Sequence, residues 1–488
     1  MPEMLIAMIF LPLVGGASIG LLPEKRESLA RPITIAITGL TLVISAVLWA
    51  SFDTSVAAMQ FEYVREWIPG LNTSLHLGVD GTSLPLVFLT ALLTLLSTIA
   101  STNIRMLVRR YFALLLLLEA GLIGVFIALD LVLFYVFWEV VLIPMFFLIS
   151  IWGGERRRYA AVKFFVYTLA GSLAMLGGII AIFLKTGAAT FDMVDLAPLA
   201  AQLPAGTQLA IFVAFAFALA VKVPIVPFHT WLPDAHVEAP TAVSVLLAGV
   251  LLKMGSYGFL RLGPQLLPDG FLACAPVIGV LAVVSIVYGA AVALAQTDLK
   301  KLVAYSSVSH MGYVMLGIAS GTTAGILGAN VQMFSHGLIA GMLFLLVGAL
   351  YERAHTREIT AFGGIAKVAP VLAGTLVFAS FASAGLPGLS GFIGEFMVVV
   401  GAFGPMTALA SVAAAAVALT VAYLLWTVRR VAFGPLNEER AEMPDMRMSE
   451  AASILPLCAV SVVIGIRPDV LMNVLGPSVD AITRLMAG

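Results

Sequence analysis

Six ionisable residues stand inside long apolar runs of this chain: Glu139, Lys222, Lys253, His310, His336 and Glu395. A charge at the centre of a membrane-spanning helix costs on the order of 3 kcal/mol on insertion scales, so each needs a partner, a neutralising proton or a function. Glu139 lies in Phe134-Tyr135-Val136-Phe137-Trp138-Glu139-Val140-Val141. Lys222 ends Ala218-Leu219-Ala220-Val221-Lys222, and Lys253 sits in Leu251-Leu252-Lys253-Met254-Gly255. Two carboxylates, two lysines and two histidines are all groups that bind and release protons. Buried lysine and histidine are the side chains whose proton affinity responds most readily to their surroundings. The chemistry these types point to is proton movement. Each also has a structural reading. Glu139 with Lys222 would lock two helices as an ion pair. His310 and His336 would be satisfied core histidines, and Glu395 would cap a half-helix. A single Glu139–Lys222 pair would leave Lys253 uncompensated.

The elements that position these groups must be lipid-solvated helices. Hydrophobic residues make up 61% of the 488 and charged residues only 11%, against roughly 25% charge in a soluble domain. Mean hydropathy is +1.06. The net charge of -1 argues against nucleic acid as a partner. Cys274 and Cys458 lie in apolar runs with no metal-ligand spacing. An iron–sulfur centre takes about four thiolates, and no glycine-rich turn opens a dinucleotide site, so no cofactor is expected on this chain.

Runs long enough to span, at about 20 residues each, fall near 4–22, 31–51, 84–103, 111–128, 130–151, 162–184, 208–228, 240–262, 271–294, 302–320, 324–350, 371–403, 407–428 and 452–470. A last amphipathic segment, 473–487, is expected at the membrane interface. Met1-Pro2-Glu3 lacks the positive start of a signal peptide, so 4–22 is expected as a retained first span. Lys and Arg concentrate in alternate loops, at Lys25-Arg26-Arg31, Arg105-Arg109-Arg110, Arg156-Arg157-Arg158-Lys163, Lys300-Lys301, Arg353-Arg357-Lys367 and Arg429-Arg430-Arg440-Arg447. The loops 52–83, 129–130, 186–207, 321–323 and 404–406 are poor in them. The positive-inside rule then puts both termini on the outer side.

Two spans are interrupted, at Val221-Lys222-Val223-Pro224-Ile225-Val226-Pro227-Phe228 and at Gly385-Leu386-Pro387-Gly388-Leu389-Ser390-Gly391-Phe392. Proline removes a helical hydrogen bond, and irregular backbone at membrane depth is tolerated only inside protein or beside water. Each break has a charge beside it, Lys222 and Glu395, and each belongs to a five-helix stretch. The charge-derived topology gives the two stretches opposite orientations, a common transporter plan. The expected fold is an all-α integral membrane protein of about fourteen transmembrane helices, with two inverted five-helix repeats that each contain a broken helix. The expected divisions are 1–110 (three N-terminal helices), 111–262 (first repeat), 271–430 (second, inverted repeat) and 431–488 (C-terminal helix and interfacial segment).

Other ionisable groups read as structural. Glu119 and Asp130 fall near span ends and are expected at the interface. Lys185 is expected to snorkel, and Arg156 to Arg158 to fix topology. His229, Asp234, His236 and Glu238 form a cluster on paper, but Pro233 and Pro240 punctuate it, and a hydrogen-bonded loop is favoured over a metal site.

Several stretches carry a resemblance. Phe137-Trp138-Glu139 with Pro144 and Ile151-Trp152-Gly153-Gly154 resembles the fifth-helix region of the antiporter-like subunits of respiratory complex I. Lys222-Val223-Pro224, followed by His229-Thr230-Trp231-Leu232-Pro233-Asp234-Ala235-His236-Val237-Glu238-Ala239-Pro240, is similar to that family's seventh-helix signature. Gln296-Thr297-Asp298-Leu299-Lys300-Lys301 through Ser309-His310 matches as well. These motifs cover roughly residues 75–400. Glu395 distinguishes the chain from sister subunits L and N and from the D subunit of Mrp antiporters, which are expected to carry lysine at the twelfth-helix position. The long C-terminal lateral helix that marks subunit L is also lacking.

The resemblance implies a mechanism. Glu139 would pair with Lys222 and hold it protonated. Separating them would push the proton toward Lys253, and waters with His310 and His336 would relay it to Glu395 for exchange with the outer side. FMN, iron–sulfur clusters and quinone are expected in other subunits of the complex. The expected partners are other membrane-arm subunits, including sister antiporter-like subunits, together with the lipid bilayer and protons. The expected location is a bacterial inner membrane with both termini periplasmic. Competing readings are an Mrp-type cation/proton antiporter subunit, a membrane-bound hydrogenase subunit, a passive scaffold and, least of all, a quinone-reducing enzyme.

Overall fold

The computed structural model describes residues 1–187 and 190–486. Residues 188–189 of the loop 186–207 and residue 487 of the segment 473–487 lie outside the described residues. Among the described residues, twelve helices are long and apolar enough to cross a membrane. The run expected at 84–103 forms a 17-residue helix, Leu84–Ala100. The run at 371–403 forms two 14-residue helices, Pro370–Ser383 and Ser390–Phe403.

Burial sorts the helices into a core and a rim. Thr241–Leu262 and Thr323–Ala354 are buried along their whole length, and Leu299–Ala319 nearly so. A helix buried all round lies inside a bundle rather than against lipid. These three carry Lys253, His336 and His310. Glu24–Ala50 and Met448–Ile466 are mostly uncovered by protein and form part of the rim. Hydroxyls are kept off lipid by bonding back within their own helices. Thr90, Thr94 and Thr98 bond in turn to the carbonyls of Leu86, Thr90 and Thr94 at 2.7–2.8 Å. Aspartates start several helices. Asp130, Asp192 and Asp298 each accept from two backbone N–H groups of the following turn.

Both interrupted spans are broken. Ala205–Lys222 stops at Lys222, and the chain resumes helical form as the short Trp231–Glu238. Pro370–Ser383 and Ser390–Phe403 are joined through Gly385 and Gly388, at φ +75° and +94°, where a side chain would be strained. Two further irregularities bracket the chemistry. Leu131–Val140 and Leu142–Trp152 part at Val141, two residues after Glu139. Pro144 offers no N–H to continue the ladder there. A π-turn, Leu247–Leu251, lies two residues before Lys253.

The structure adds detail at the loop 52–83, at Glu119 and Asp130, and at the C-terminal segment. The loop 52–83 contains an antiparallel hairpin of Gln60–Ile68 and Thr73–Val79, a small addition to a mostly helical chain. Glu119 is not interfacial: it lies within Val108–Ile127, fully buried, with neither carboxyl oxygen hydrogen-bonded. Asp130 is fully buried as well, held by Ser74, Val132 and Leu133 amides. The C-terminal amphipathic helix, Asp469–Met486, packs on the protein, where its Ser478 hydroxyl accepts from the Gly81 amide at 2.9 Å.

Candidate functional site

Four of the six candidate residues form one connected row. The Lys253 ammonium donates to the Ala248 carbonyl and to His336 Nδ1, both at 2.6 Å. The His336 and His310 rings are 5.6 Å apart between centroids, tilted by 46°. His310 Nδ1 lies 2.6 Å from Glu395 Oε1, and Gln332 Nε2 donates to the same oxygen at 3.0 Å. These partners set the tautomers. His336 accepts at Nδ1 and carries its proton on Nε2. His310 donates from Nδ1 and leaves Nε2 to accept from the Ser383 hydroxyl at 3.1 Å. All four side chains are at least nine-tenths buried. Glu395 therefore does not cap its half-helix. It is bonded across to two other helices, and its second oxygen faces the break at Gly385.

Glycine makes this convergence possible. A Cβ on Gly394 would stand 2.8 Å from Gln332 Cα, and one on Gly328 would stand 2.7 Å from the Val398 amide nitrogen. Thr323–Ala354 and Ser390–Phe403 thus meet at backbone contact, as small residues allow between membrane helices. That contact brings Glu395 to Gln332.

The other two residues stand apart. Lys222 is buried at the end of its half-helix, with its ammonium 5.0 Å from the centre of the Trp138 ring. It has no hydrogen-bond partner among the described residues and acts on Glu139 only through space. The direct Glu139–Lys222 pair that the resemblance implies is not closed in this structure. Glu139 is half-buried, and one of its oxygens is without a partner.

The four residues of the paper metal cluster go separate ways. Asp234 pairs with Lys163 at 2.7 Å, and Glu238 accepts from the Arg156 amide at 2.9 Å. His229 sits edge-on to Tyr288 at 5.1 Å. His236 is fully buried and stacked on Phe344 at 4.5 Å, and neither ring nitrogen is hydrogen-bonded. Lys253 and Lys300 both act on it electrostatically. Among the described residues no group of three or more His, Cys, Asp or Glu could hold a metal ion. Lys300, whose ammonium is held by the Ala239 carbonyl, lines a crevice of about 560 Å³ with Glu238, Asp298, Tyr351 and Arg357. This crevice lies on the arginine-rich face. Sequence reasoning missed His236 and Lys300 as candidates. The signal was present in the stretch Trp231 to Pro240 but was weighed only as metal ligation.

On the opposite face a second cluster holds the hairpin. His76 Nδ1 meets Asp192 Oδ2, and His76 Nε2 meets Glu62 Oε2 at 2.9 Å. Burial disfavours the imidazolium, but the two carboxylates outweigh it and raise His76 above its ordinary range. Burial likewise opposes the Asp192 carboxylate, but His76 and the Val194 and Asp195 amides hold it below its ordinary range. Nearby, Arg261 and Asp80 form a buried pair at 2.9 Å.

Comparison with known proteins matches this architecture. The family model described as "NADH:quinone oxidoreductase/Mrp antiporter, TM" fits residues 128–420. NADH-quinone oxidoreductase subunit M of Rhodobacter capsulatus is 45% identical over 98% of this chain and 96% of that protein. NADH-ubiquinone oxidoreductase chain 4 of Marchantia polymorpha is 40% identical over 98% of this chain and 97% of that protein. A chain in respiratory complex I from Thermus thermophilus superposes with a TM-score of 0.91 at 33% identity, covering 99% of this chain and 100% of that one. A chain of the Mrp complex from Dietzia sp. DQ12-45-1b shares the fold, with a TM-score of 0.86 at 23% identity over 100% of this chain and 99% of that one. This multi-pass helical bundle, with charges buried in its central helices and with relatives that match it over nearly its whole length, belongs to the NADH:quinone oxidoreductase/Mrp antiporter membrane family.

Proposed function

We propose that this chain is a proton-translocating membrane-arm subunit of NADH:quinone oxidoreductase, equivalent to subunit M. Its relay runs through Glu139, Lys222, Lys253, His336, His310 and Glu395. The observation that carries this reading is the row of contacts Lys253–His336–His310–Glu395, buried across the bundle and built from groups that can each hold or pass a proton. A purely structural network has no need of four titratable groups in sequence. The names of the two relatives above, NADH-quinone oxidoreductase subunit M and NADH-ubiquinone oxidoreductase chain 4, support the parent complex.

Lys222 is the movable element. Its ammonium is unpartnered, so its proton is held by Glu139 through space and by the Trp138 face alone. A shift of the helix carrying Glu139, jointed at Val141, would weaken that hold. The proton would then pass through water to Lys253 and along the histidines to Glu395. Intake is from the arginine-rich face, through the crevice at Lys300 and the buried His236 that lies within electrostatic range of both Lys300 and Lys253. Electron transfer, with FMN, iron–sulfur clusters and quinone, belongs to other subunits, and reaches this chain as a conformational or electrostatic signal.

The count of fourteen spans adds Leu84–Ala100 and the half-helix pair to the twelve long helices. The inverted repeat is supported by element order: in 111–262 and in 271–430 alike, the fourth of five elements is the broken one. Residues 1–110 and 431–488 flank the two halves. The loop charges support a bacterial inner-membrane location with both termini on the periplasmic side. Glu395 sets the chain apart from the Mrp reading.

The test is Lys222→Ala in the assembled complex, reconstituted in vesicles. Normal assembly with sharply reduced protons per electron is expected, with slower coupled quinone reduction. Unchanged pumping per electron would sink the relay, and failure to assemble would favour a scaffold.

A further inference from the structure

Gln332 is 1% exposed and stands in Thr323–Ala354, one turn before His336 on the same face. Its Nε2 donates across to Glu395 Oε1 at 3.0 Å, while its own Oε1 is buried without a partner among the described residues. That orphaned oxygen lies against Gly394, where a Cβ would stand 2.6 Å from it. A buried acceptor left unpaired is costly. An apolar side chain of the same length would fill the space without that cost. What the amide supplies here is therefore its N–H, not its bulk.

The N–H lands on an oxygen that is already engaged. Glu395 Oε1 also accepts from His310 Nδ1 at 2.6 Å, and each carboxylate oxygen offers about two lone pairs. His310 is pinned in place, because its Nε2 is held by the Ser383 hydroxyl at 3.1 Å. Two donors thus fill Oε1. Oε2 points the other way, toward the break between the half-helices, where a Cβ on Gly385 would lie 3.7 Å from it. The next residues of the break, Leu386, Pro387 and Gly388, are exposed. Irregular backbone at membrane depth stands beside water or other protein, so Oε2 is the oxygen on the side where a proton can leave the bundle.

We propose that Gln332 is a positioning residue: with His310 it occupies Oε1 of Glu395, so that the proton this carboxyl takes up and releases rides on Oε2, at the Gly385 break. The inference rests on the relay reading above. In the exchange a proton leaves Oε2 for a water at the break, or arrives from one, as the group changes between carboxylic acid and carboxylate. Gln332 keeps both of its own amide protons throughout, and no other reactant is consumed.

Gln332→Met keeps length and packing and removes the donor. It is measured in the assembled complex in vesicles, beside Gln332→Asn and Glu395→Gln. Pumping is followed together with infrared difference spectra on a pH jump, in which the Glu395 carboxylate band is the one that Glu395→Gln abolishes. Gln332→Met is expected to assemble, to slow proton transfer through Glu395 roughly tenfold, the low end for one hydrogen bond to a charged group, and to shift that band, because Oε1 has lost a donor. Parent-like pumping in Gln332→Met, with Glu395→Gln impaired, overturns this inference alone. Slowed pumping with the band at its parent position assigns Gln332 to packing and overturns it too. Parent-like pumping in Glu395→Gln overturns the relay reading itself. Should Gln332→Met fail to assemble, Gln332→Asn, which withdraws the amide by one carbon, decides: an unmoved band and parent-like pumping there overturn the inference.

Discussion

Replacing Glu395 in two ways separates its bonding from its proton chemistry. Its Oε1 accepts from His310 Nδ1 at 2.6 Å and from Gln332 Nε2 at 3.0 Å. Glu395→Gln keeps an acceptor of the same shape, so both donors remain satisfied and the half-helix Ser390–Phe403 stays seated. Glu395→Ala leaves two buried donors unpaired, at about 1–3 kcal/mol each, or about 2–6 kcal/mol together. The amide cannot take up and release a proton in the working range. Proton transfer through this end is therefore expected to fall by at least about a hundredfold in both variants. Assembly on native gels and resistance to heat report the bonding, and pH-jump fluorescence in vesicles reports the transfer. The glutamine variant should assemble like the parent and not pump, while the alanine variant should be both destabilised and inactive. A glutamine variant that pumps at the parent rate would refute the assignment of Glu395 as a proton-exchanging group. An alanine variant as stable as the parent would refute the bonding account.

Three further outcomes follow from the geometry. Gly328→Ala places a methyl 2.7 Å from the Val398 amide, and is expected to destabilise by about 1–3 kcal/mol and to impair pumping by pushing Glu395 off Gln332; thermal unfolding beside vesicle pumping checks both. Arg353 and Glu450 form a two-pronged pair, both contacts at 2.7 Å, with the arginine side chain 1% exposed. Arg353→Ala is expected to cost about 3–5 kcal/mol with little change in protons per electron for the complex that does assemble. The hairpin should depend on pH through His76 and Asp192. The raised His76 contributes stability that is complete below its unfolded-state value near 6.5 and is lost as pH rises through its folded value. The lowered Asp192 contributes stability present above 3.8 and lost as pH falls through its folded value. Hydrogen exchange of amides 60–79 should be slowest between these limits and quicken toward alkaline pH, and His76→Asn should flatten the alkaline limb.

Much of this was legible because lipid makes charge conspicuous. Glu139, Lys222, Lys253 and Glu395 stood out as isolated charges in apolar runs, and the two proline- and glycine-rich breaks were visible beside Lys222 and Glu395. What the sequence did not show is tertiary. Glu119 was read as interfacial although it stands in the middle of the run 111–128, and the bundle closes around it. The hairpin was missed because Gln60–Ile68 mixes charged and apolar residues without the strong alternation of a half-buried strand. His236 was weighed against metal ligation, since only the fold shows it stacked on Phe344 and set between Lys253 and Lys300.

The central claim is that one continuous set of proton-bearing groups crosses the bundle and that Lys253 is its middle link. Lys253→Met keeps length and packing while removing the only group that donates to His336 Nδ1 among the described residues. Protons moved per electron, measured in vesicles with quinone reduction followed at the same time, is the direct test. The account predicts an assembled complex whose protons per electron fall well below the parent value. A Lys253→Met complex that pumps the parent number of protons per electron would contradict it.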